Sequence, residues 1–281
     1  MRQHYAGERI GLLTQHGKEQ VIRPVLEAAL GCVVERVSGV DTDALGTFTR
    51  ERPRPGSQLE AARRKARIGM ELSGLRVGLG SEGSFGPDPF SGLFPWNVEL
   101  LVLIDDRLGI EVLGVAQGAA QSGHLQTGDW EAVARFAEQQ GLPSHQLVIR
   151  PRDRHDPRLR KGIASWTQLQ AGFERCAHES GNGHVFVETE LRAFANPTRM
   201  RLIGEAAEDL RQRLQSLRAA CDAPGYWVVE REPGLPCAAC SMPTRAWLNE
   251  VWQCPRCGHR AVRARADRGY CDPQYCVHCN P

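Results

Sequence analysis

Two spacings of apolar residues organise the first 220 positions of this chain. Short runs at 9–14, 32–37, 75–79, 98–105, 110–115, 146–150 and 184–190 carry the dense or alternating apolar pattern of strands. Between them, 18–30, 58–72, 129–140 and 166–176 repeat apolar residues at helical spacing. Pro24 falls inside the first helical stretch and predicts a kink or a later start. Residues 98–105 (VELLVLID) are nearly continuously apolar, the pattern of a strand buried on both faces. Asp129 stands as an N-cap and Gly141 as a C-terminal stop around the third helix. A longer helix starts at Asn196-Pro197, with Ile203, Ala207, Leu210, Leu214, Leu217 and Cys221 forming one stripe. This alternation predicts an α/β body with one mixed sheet of about six or seven strands.

Composition adds an appendage to that body. A chain of 281 residues holds one sizeable core and a smaller module, and 41% apolar with 24% charged residues is ordinary for a globular protein. Ten cysteines are present, yet only Cys32 and Cys176 precede residue 221, and both read as buried apolar thiols. The other eight lie between Cys221 and Cys279, after which the expected division is an α/β domain over 1–221 and a cysteine-rich module over 222–281. No export signal or 18-residue apolar window is visible, so the expected compartment is the reducing cytoplasm, with no membrane partner. There, paired cysteines hold metal more often than they form disulfides.

Cys237-Ala-Ala-Cys240 and Cys254-Pro-Arg-Cys257 are two C-x-x-C knuckles, and together they supply four thiolates for one tetrahedral Zn²⁺. Cys221, Cys271, Cys276 and Cys279 remain for a second Zn²⁺ site, with His278 as a competing ligand. That second set would tie the chain's end to the end of the long helix. Closed Cys₄ sites stabilise folding and leave no position for chemistry. The module is thus read as a small C-terminal zinc ribbon.

Three segments of the body carry candidate chemistry. The turn Thr14-Gln15-His16-Gly17-Lys18-Glu19 lies between a strand and a helix, where a cation and free N–H groups suit a phosphate. Asp41 and Asp43, two residues apart, can share a divalent cation or cap a turn. The stretch 80–89 (GSEGSFGPDP) reads as a loop beyond a strand, with Ser81, Glu82 and Ser84 flanked by glycines that let a ligand approach. Mg²⁺ held by one or two carboxylates and substrate phosphates fits that composition. A formal net charge of +2 leaves only local basic runs, at 50–67, 150–161 and 256–268, to bear on a polyanionic partner.

Several stretches resemble a bacterial family of unknown function: Thr14–Glu19, DTDALGTF at 41–48, SEGSFGP at 81–87, ETELRAFANPTRM at 188–200, GLPCAAC at 234–240 and YCVHCNP at 275–281. In that family a C-P-x-C knuckle precedes Pro224-Gly225; here Arg218 stands at its first cysteine and Cys221 at its second. The first half is also similar to the inosine triphosphate pyrophosphatase superfamily. Thr14-Gln15-His16-Gly17-Lys18, Glu60 with Lys65-Ala66, and Ser81-Glu82-Gly83-Ser84 follow its order of motifs. His16 and Ala61 stand where that superfamily has Asn. This second resemblance implies Mg²⁺-dependent cleavage of a nucleoside triphosphate or related phosphoanhydride. Lys18, Glu60 and Glu82 would be the catalytic groups; Lys65, His16, Ser81, Ser84, Asp41 and Asp43 would line the substrate. It requires Lys18, Glu60 and Glu82 to converge. The rival expectation is a non-enzymatic nucleic-acid-binding or adaptor protein, using Arg256, Arg260, Arg263 and Arg265 of the ribbon as one exposed basic face.

Overall fold

The computed structural model of the protein describes residues 4–40 and 56–281, so Asp41 and Asp43 lie outside the described residues. The fold is mixed α/β, and the chain divides into two compact units. The larger comprises Tyr5–Ile104 and Leu113–Arg211; the smaller comprises Asp105–Val112 and Gln212–Pro281 with the N-terminal residues.

The larger unit begins with β1 (Arg9–Leu13), α1 (Glu19–Leu30), β2 (Val33–Val37), α2 (Gln58–Ser73) and β3 (Val77–Pro87). β4 (Pro95–Asp105) and β5 (Ile110–Ala119) follow, and the five strands form one sheet in the order β2-β1-β3-β4-β5. β1 lies parallel to both β2 and β3. β3 and β4 are joined by seven residues, too few for a parallel crossover, which makes the sheet mixed. Helix α1 runs through Pro24. The proline removes the bond to the carbonyl of Gln20, an exposed residue that water satisfies.

A second sheet was not expected. β6 (His124–Thr127), β7 (Leu147–Pro151), β8 (Arg160–Ile163) and β9 (Val185–Thr189) form it in the order β6-β9-β7-β8. Nine strands in two sheets therefore replace the single sheet of six or seven. β6 and β8 are four residues each and only partly buried, so their apolar signal is weak. Helices α3 (Trp130–Gln140) and α4 (Trp166–Ser180) belong to this half, and Val133, Phe136, Leu169 and Cys176 join Leu147, Ile149, Val185 and Val187 in its core. Asp129 caps α3 as expected, accepting from the N–H groups of Glu131 and Ala132. α5 (Pro197–Gln215) buries Leu202, Ile203, Ala206, Ala207 and Leu210 but stops before Leu217 and Cys221, so the last two positions of the predicted stripe lie beyond the helix.

The segment 80–87, expected as a loop, is the second half of β3. Two glycines of β3, Gly78 and Gly80, serve packing. A Cβ at Gly78 would lie 2.7 Å from the Ala66 carbonyl oxygen, and one at Gly80 would collide with the Ala62 carbonyl and meet the Ala66 nitrogen at 3.0 Å. These missing side chains let α2 lie directly on β3, over a core of Ala62, Ala66, Met70, Leu100, Val102 and Ile104. Gly80→Ala is expected to lower stability by about 2 kcal/mol, because the obstructing atoms are backbone and cannot swing aside. Denaturant unfolding measures this, and a loss below about 0.5 kcal/mol would contradict the packing account.

The smaller unit carries β10 (Trp227–Pro233), β11 (Trp247–Gln253) and β12 (Arg260–Ala264), an antiparallel sheet in that order. Its apolar core is slight: one cluster joins Ala223, Tyr226 and Cys254 with Cys221 and Trp252 against them, and Leu235 and Val251 are buried as well.

Candidate metal centres and a buried cationic cluster

The cysteines of the smaller unit converge in two groups, but not in the expected pairs. Cys237, Cys240, Cys276 and Cys279 form one group; Cys221, Cys254 and Cys257 form the other. The Sγ–Sγ separations are 3.8 Å for Cys237–Cys279, 3.7 Å for Cys240–Cys276, 3.6 Å for Cys221–Cys254 and 3.7 Å for Cys221–Cys257. Disulfides need about 2.05 Å. Four sulfurs placed 2.3 Å from a central Zn²⁺ at tetrahedral corners lie about 3.8 Å apart, so these are zinc-thiolate spacings.

The sheet explains why the knuckles at 237–240 and 254–257 do not share an ion. β11 lies between them, and its seven residues carry the chain about 23 Å. In the antiparallel register Trp227, Gln253 and Arg260 are level at one end, while Pro233 and Trp247 pair at the other. Cys221, which precedes β10, therefore meets the knuckle that follows β11. The knuckle that precedes β11 meets the one beyond β12. Cys271, expected as a ligand, contributes backbone instead: its N–H donates to the Pro236 carbonyl at 2.8 Å, and its carbonyl accepts from Ala238 N–H at 3.0 Å. His278 is exposed and belongs to neither group. Backbone N–H groups of Cys240 and Ala239 lower the Cys237 thiol to about 7. The hydrogen bond that Cys279 shares with Cys240, followed by burial, pushes its thiol up to about 12. Cys32 and Cys176 are buried and unbridged, and burial pushes Cys32 up to about 11.

The ribbon arginines do not form one face. Alternation along β12 puts Arg263 and Arg265 on the side opposite Arg260. Arg263 stacks 4.1 Å over the Trp252 ring and Arg265 lies 4.0 Å over Trp247. Arg260 pairs with Glu230 at 2.9 Å, and Arg265 pairs with Asp267. Arg256, in the knuckle, is exposed.

In the larger unit the parallel register of β1 and β3 sets the turn after β1 beside Ser81. Lys18 is 5% exposed, and its Nζ donates to the carbonyl and to Oγ of Ser81, both at 3.1 Å. Among the described residues no carboxylate lies within ion-pair distance of it. Burial lowers Lys18 to about 7, with the charge of Arg199 adding to the effect. Glu82 is buried and pairs with Lys65. Burial also lowers His16 to about 4, ahead of the charges of Lys18, Arg199, Arg192 and Lys65, which leaves a neutral imidazole. Ser84 Oγ donates to Gln58 at 2.9 Å, so it braces the N-terminus of α2.

Glu60 does not join this cluster. Its carboxylate accepts from Ser57 N–H at 2.7 Å and completes the capping box that starts α2, which lowers its pKa. Two further members, Glu99 and Arg199, were not singled out in the sequence. Glu99 is wholly buried and accepts from Arg199 Nε at 2.7 Å and from Asn97 Nδ2 at 3.1 Å. One oxygen of Glu99 and Oδ1 of Asn97 are buried without a hydrogen-bond partner. Glu99 stands in the sequence as a carboxylate inside the apolar run 98–105. Arg199 follows the Asn196-Pro197 start, and only the fold reveals its partner. Arg192 lies 4.9 Å over the Phe194 ring, which is 5.9 Å from that of His16.

A family described as a domain of unknown function, DUF6671, matches residues 65–281, well over half of the chain. The protein belongs to the DUF6671 family. No curated protein and no solved structure matches it, so the likeness to inosine triphosphate pyrophosphatases finds no support there. The DUF6671 segment contains both cysteine groups, Lys65, Glu82, Glu99 and Arg199, while His16, Lys18 and Glu60 precede it. Among the described residues no helix is long and apolar enough to cross a membrane.

Proposed function

We propose that the larger unit binds a phosphorylated small molecule at the Lys18–Arg199 cluster and, with Mg²⁺, cleaves a phosphoanhydride bond in it. The supporting observation is Lys18, a buried ammonium whose hydrogen-bond partners are both neutral oxygens of Ser81. Keeping a cation there without a carboxylate is costly, and an anionic ligand offsets that cost. Lys65 is the second cation, released toward phosphate when Glu82 turns to a metal. The unpartnered oxygens of Glu99 and Asn97 suit a hard divalent ion better than they suit an apolar site. Mg²⁺ would be held by Glu82 and Glu99 together with substrate phosphate, and would polarise the phosphoryl oxygens; Glu60 has no part in this scheme. Neutral His16 at the edge of the cluster would accept or donate a hydrogen bond to the ligand.

Calorimetry with tripolyphosphate and nucleoside triphosphates, with and without Mg²⁺, tests the reading. Wild type should bind, and Lys18→Met should weaken binding by about 100-fold, the scale of a lost charge-assisted contact. Glu82→Gln should still bind while phosphate release falls about 100-fold. Affinity for sulfate, whose charge is constant near neutrality, should decline as pH rises through about 7, where Lys18 loses its proton. Stability should move the other way. The unfolded chain keeps the Lys18 proton to about 10.5 and the folded chain only to about 7, so the unfolded state binds more protons between them. Folding stability therefore rises with pH across that window, and Lys18→Met should remove this slope. Equal binding by wild type and Lys18→Met would end the proposal.

A second reading, nucleic-acid or adaptor binding by the ribbon, is supported by exposed Arg256, Arg260, Arg263 and Arg268. The same calorimetry with a single-stranded oligonucleotide, repeated as salt rises, separates it from the first.

A further inference from the structure

Four turns of the smaller unit share one backbone geometry. The N–H of residue i+4 donates to the carbonyl of residue i in Cys237–Ser241 at 3.0 Å, Cys254–Gly258 at 3.1 Å and Cys276–Asn280 at 2.8 Å. The fourth is Arg218–Asp222, at 2.7 Å. Ser241, Gly258 and Asp222 all take the left-handed backbone, with φ of 61°, 71° and 54°. Residues 218–222 are thus a metal knuckle by fold, with ligand positions at 218 and 221. Only Cys221 carries a thiol.

Among the described residues no other His, Cys, Asp or Glu joins Cys221, Cys254 and Cys257. Asp222, the nearest acid in sequence, lies 3.4 Å from His4. Zinc with three protein ligands keeps its fourth position for solvent or an incoming donor. Cys257 is exposed and Cys221 partly so, which leaves the centre within reach of a small molecule. Arg218 starts where the fourth thiol would stand, acts electrostatically on Cys257, and its buried Nε has no hydrogen-bond partner.

We propose that zinc in the Cys221–Cys254–Cys257 centre has an open coordination position that takes an exogenous small thiolate, guided by Arg218. Three thiolates leave the ion one negative charge in surplus, and the guanidinium balances it. An anionic ligand therefore approaches a neutral centre. Sulfur is also the donor zinc prefers in such a set. In the exchange the incoming thiol gives its proton to bulk water, its sulfur bonds to zinc, and the zinc-bound water leaves. No oxidant or reductant is needed. The Cys237–Cys240–Cys276–Cys279 centre, with four thiolates, has no such position.

The test uses the full chain loaded with Co²⁺ in both centres, in a phosphine reductant free of thiols. Adding 2-mercaptoethanol should raise the sulfur-to-cobalt charge-transfer band saturably, by one thiolate on a starting set of seven. Arg218→Cys closes the centre, so its band should begin at the higher level and not respond. Arg218→Ala keeps the position open, so its response should persist with about tenfold weaker affinity. An unchanged wild-type spectrum overturns the proposal, as does an equal response from Arg218→Cys. A response to imidazole without one to thiol overturns the ligand class. If Arg218→Cys does not fold, wild type against Arg218→Ala decides, and equal thiol affinity removes Arg218 from the account.

Discussion

Cys240→Ser and Cys276→Ser are each expected to cost one zinc per chain, and the double variant no more than one. Cys240→Ser combined with Cys257→Ser should cost both. This follows from the interleaved grouping, in which Cys240 and Cys276 share an ion and Cys257 belongs to the other. Sequential knuckles would give the reverse pattern, and native mass spectrometry distinguishes the two. Loss of metal should also melt the β10–β12 sheet, around which the buried apolar residues other than cysteines are chiefly Ala223, Tyr226, Leu235 and Val251. A core of that size does not fold a module alone, whereas structural zinc contributes about 10–16 kcal/mol in small zinc modules. Trp227 and Trp252 lie 5.6 Å apart and report the change through near-ultraviolet circular dichroism. The signal should disappear on chelation and return with Zn²⁺. A sheet that keeps its signal in the metal-free chain would refute the structural role.

Arg199→Met is expected to destabilise the larger unit by about 3–5 kcal/mol, the range for removing one member of a buried ion pair. Arg199 and Glu99 side chains are 2% and 0% exposed, so the variant leaves the Glu99 carboxylate with the Asn97 hydrogen bond and the more distant charge of Lys18. Arg199 also donates to the Leu191 carbonyl and lies 5.8 Å over the Phe85 ring. Its place is set by Asn196, whose Oδ1 accepts the Arg199 N–H at 3.0 Å at the start of α5. Glu99→Gln on its own should cost less, because a neutral amide still accepts from Arg199. Pairing the two changes should recover part of the loss, since the buried charge is then gone from both sides. The midpoint of thermal unfolding should fall by roughly 10 °C in Arg199→Met. A fall of under about 2 °C would mean that water reaches Glu99 and that the cluster is not dry.

Much of the fold was legible because it is local. Strands β1, β2, β7 and β9, helix α3 with its Asp129 cap, and the start of α5 at Pro197 follow from periodicity and capping chemistry, which involve residues a few positions apart. The cysteine knuckles were legible for the same reason, as was Lys18 between a strand and a helix. The glycines at 78 and 80 were misleading: small residues suit a loop, and they also suit a strand pressed against a helix. β6 and β8 are too short and too exposed to show a period.

What the sequence determined by itself was the α/β class, the crowding of cysteines after residue 220 and the spacing of each knuckle. Which knuckles come together was decided by the length and antiparallel register of β10, β11 and β12. Which charges share the buried cluster was decided likewise. Glu60 is spent on a helix cap, and Glu99 and Arg199, a hundred positions apart, meet across the fold. Spacing along the chain fixes pairs within a turn; pairs between turns depend on strand register and helix placement, which no single stretch of sequence contains.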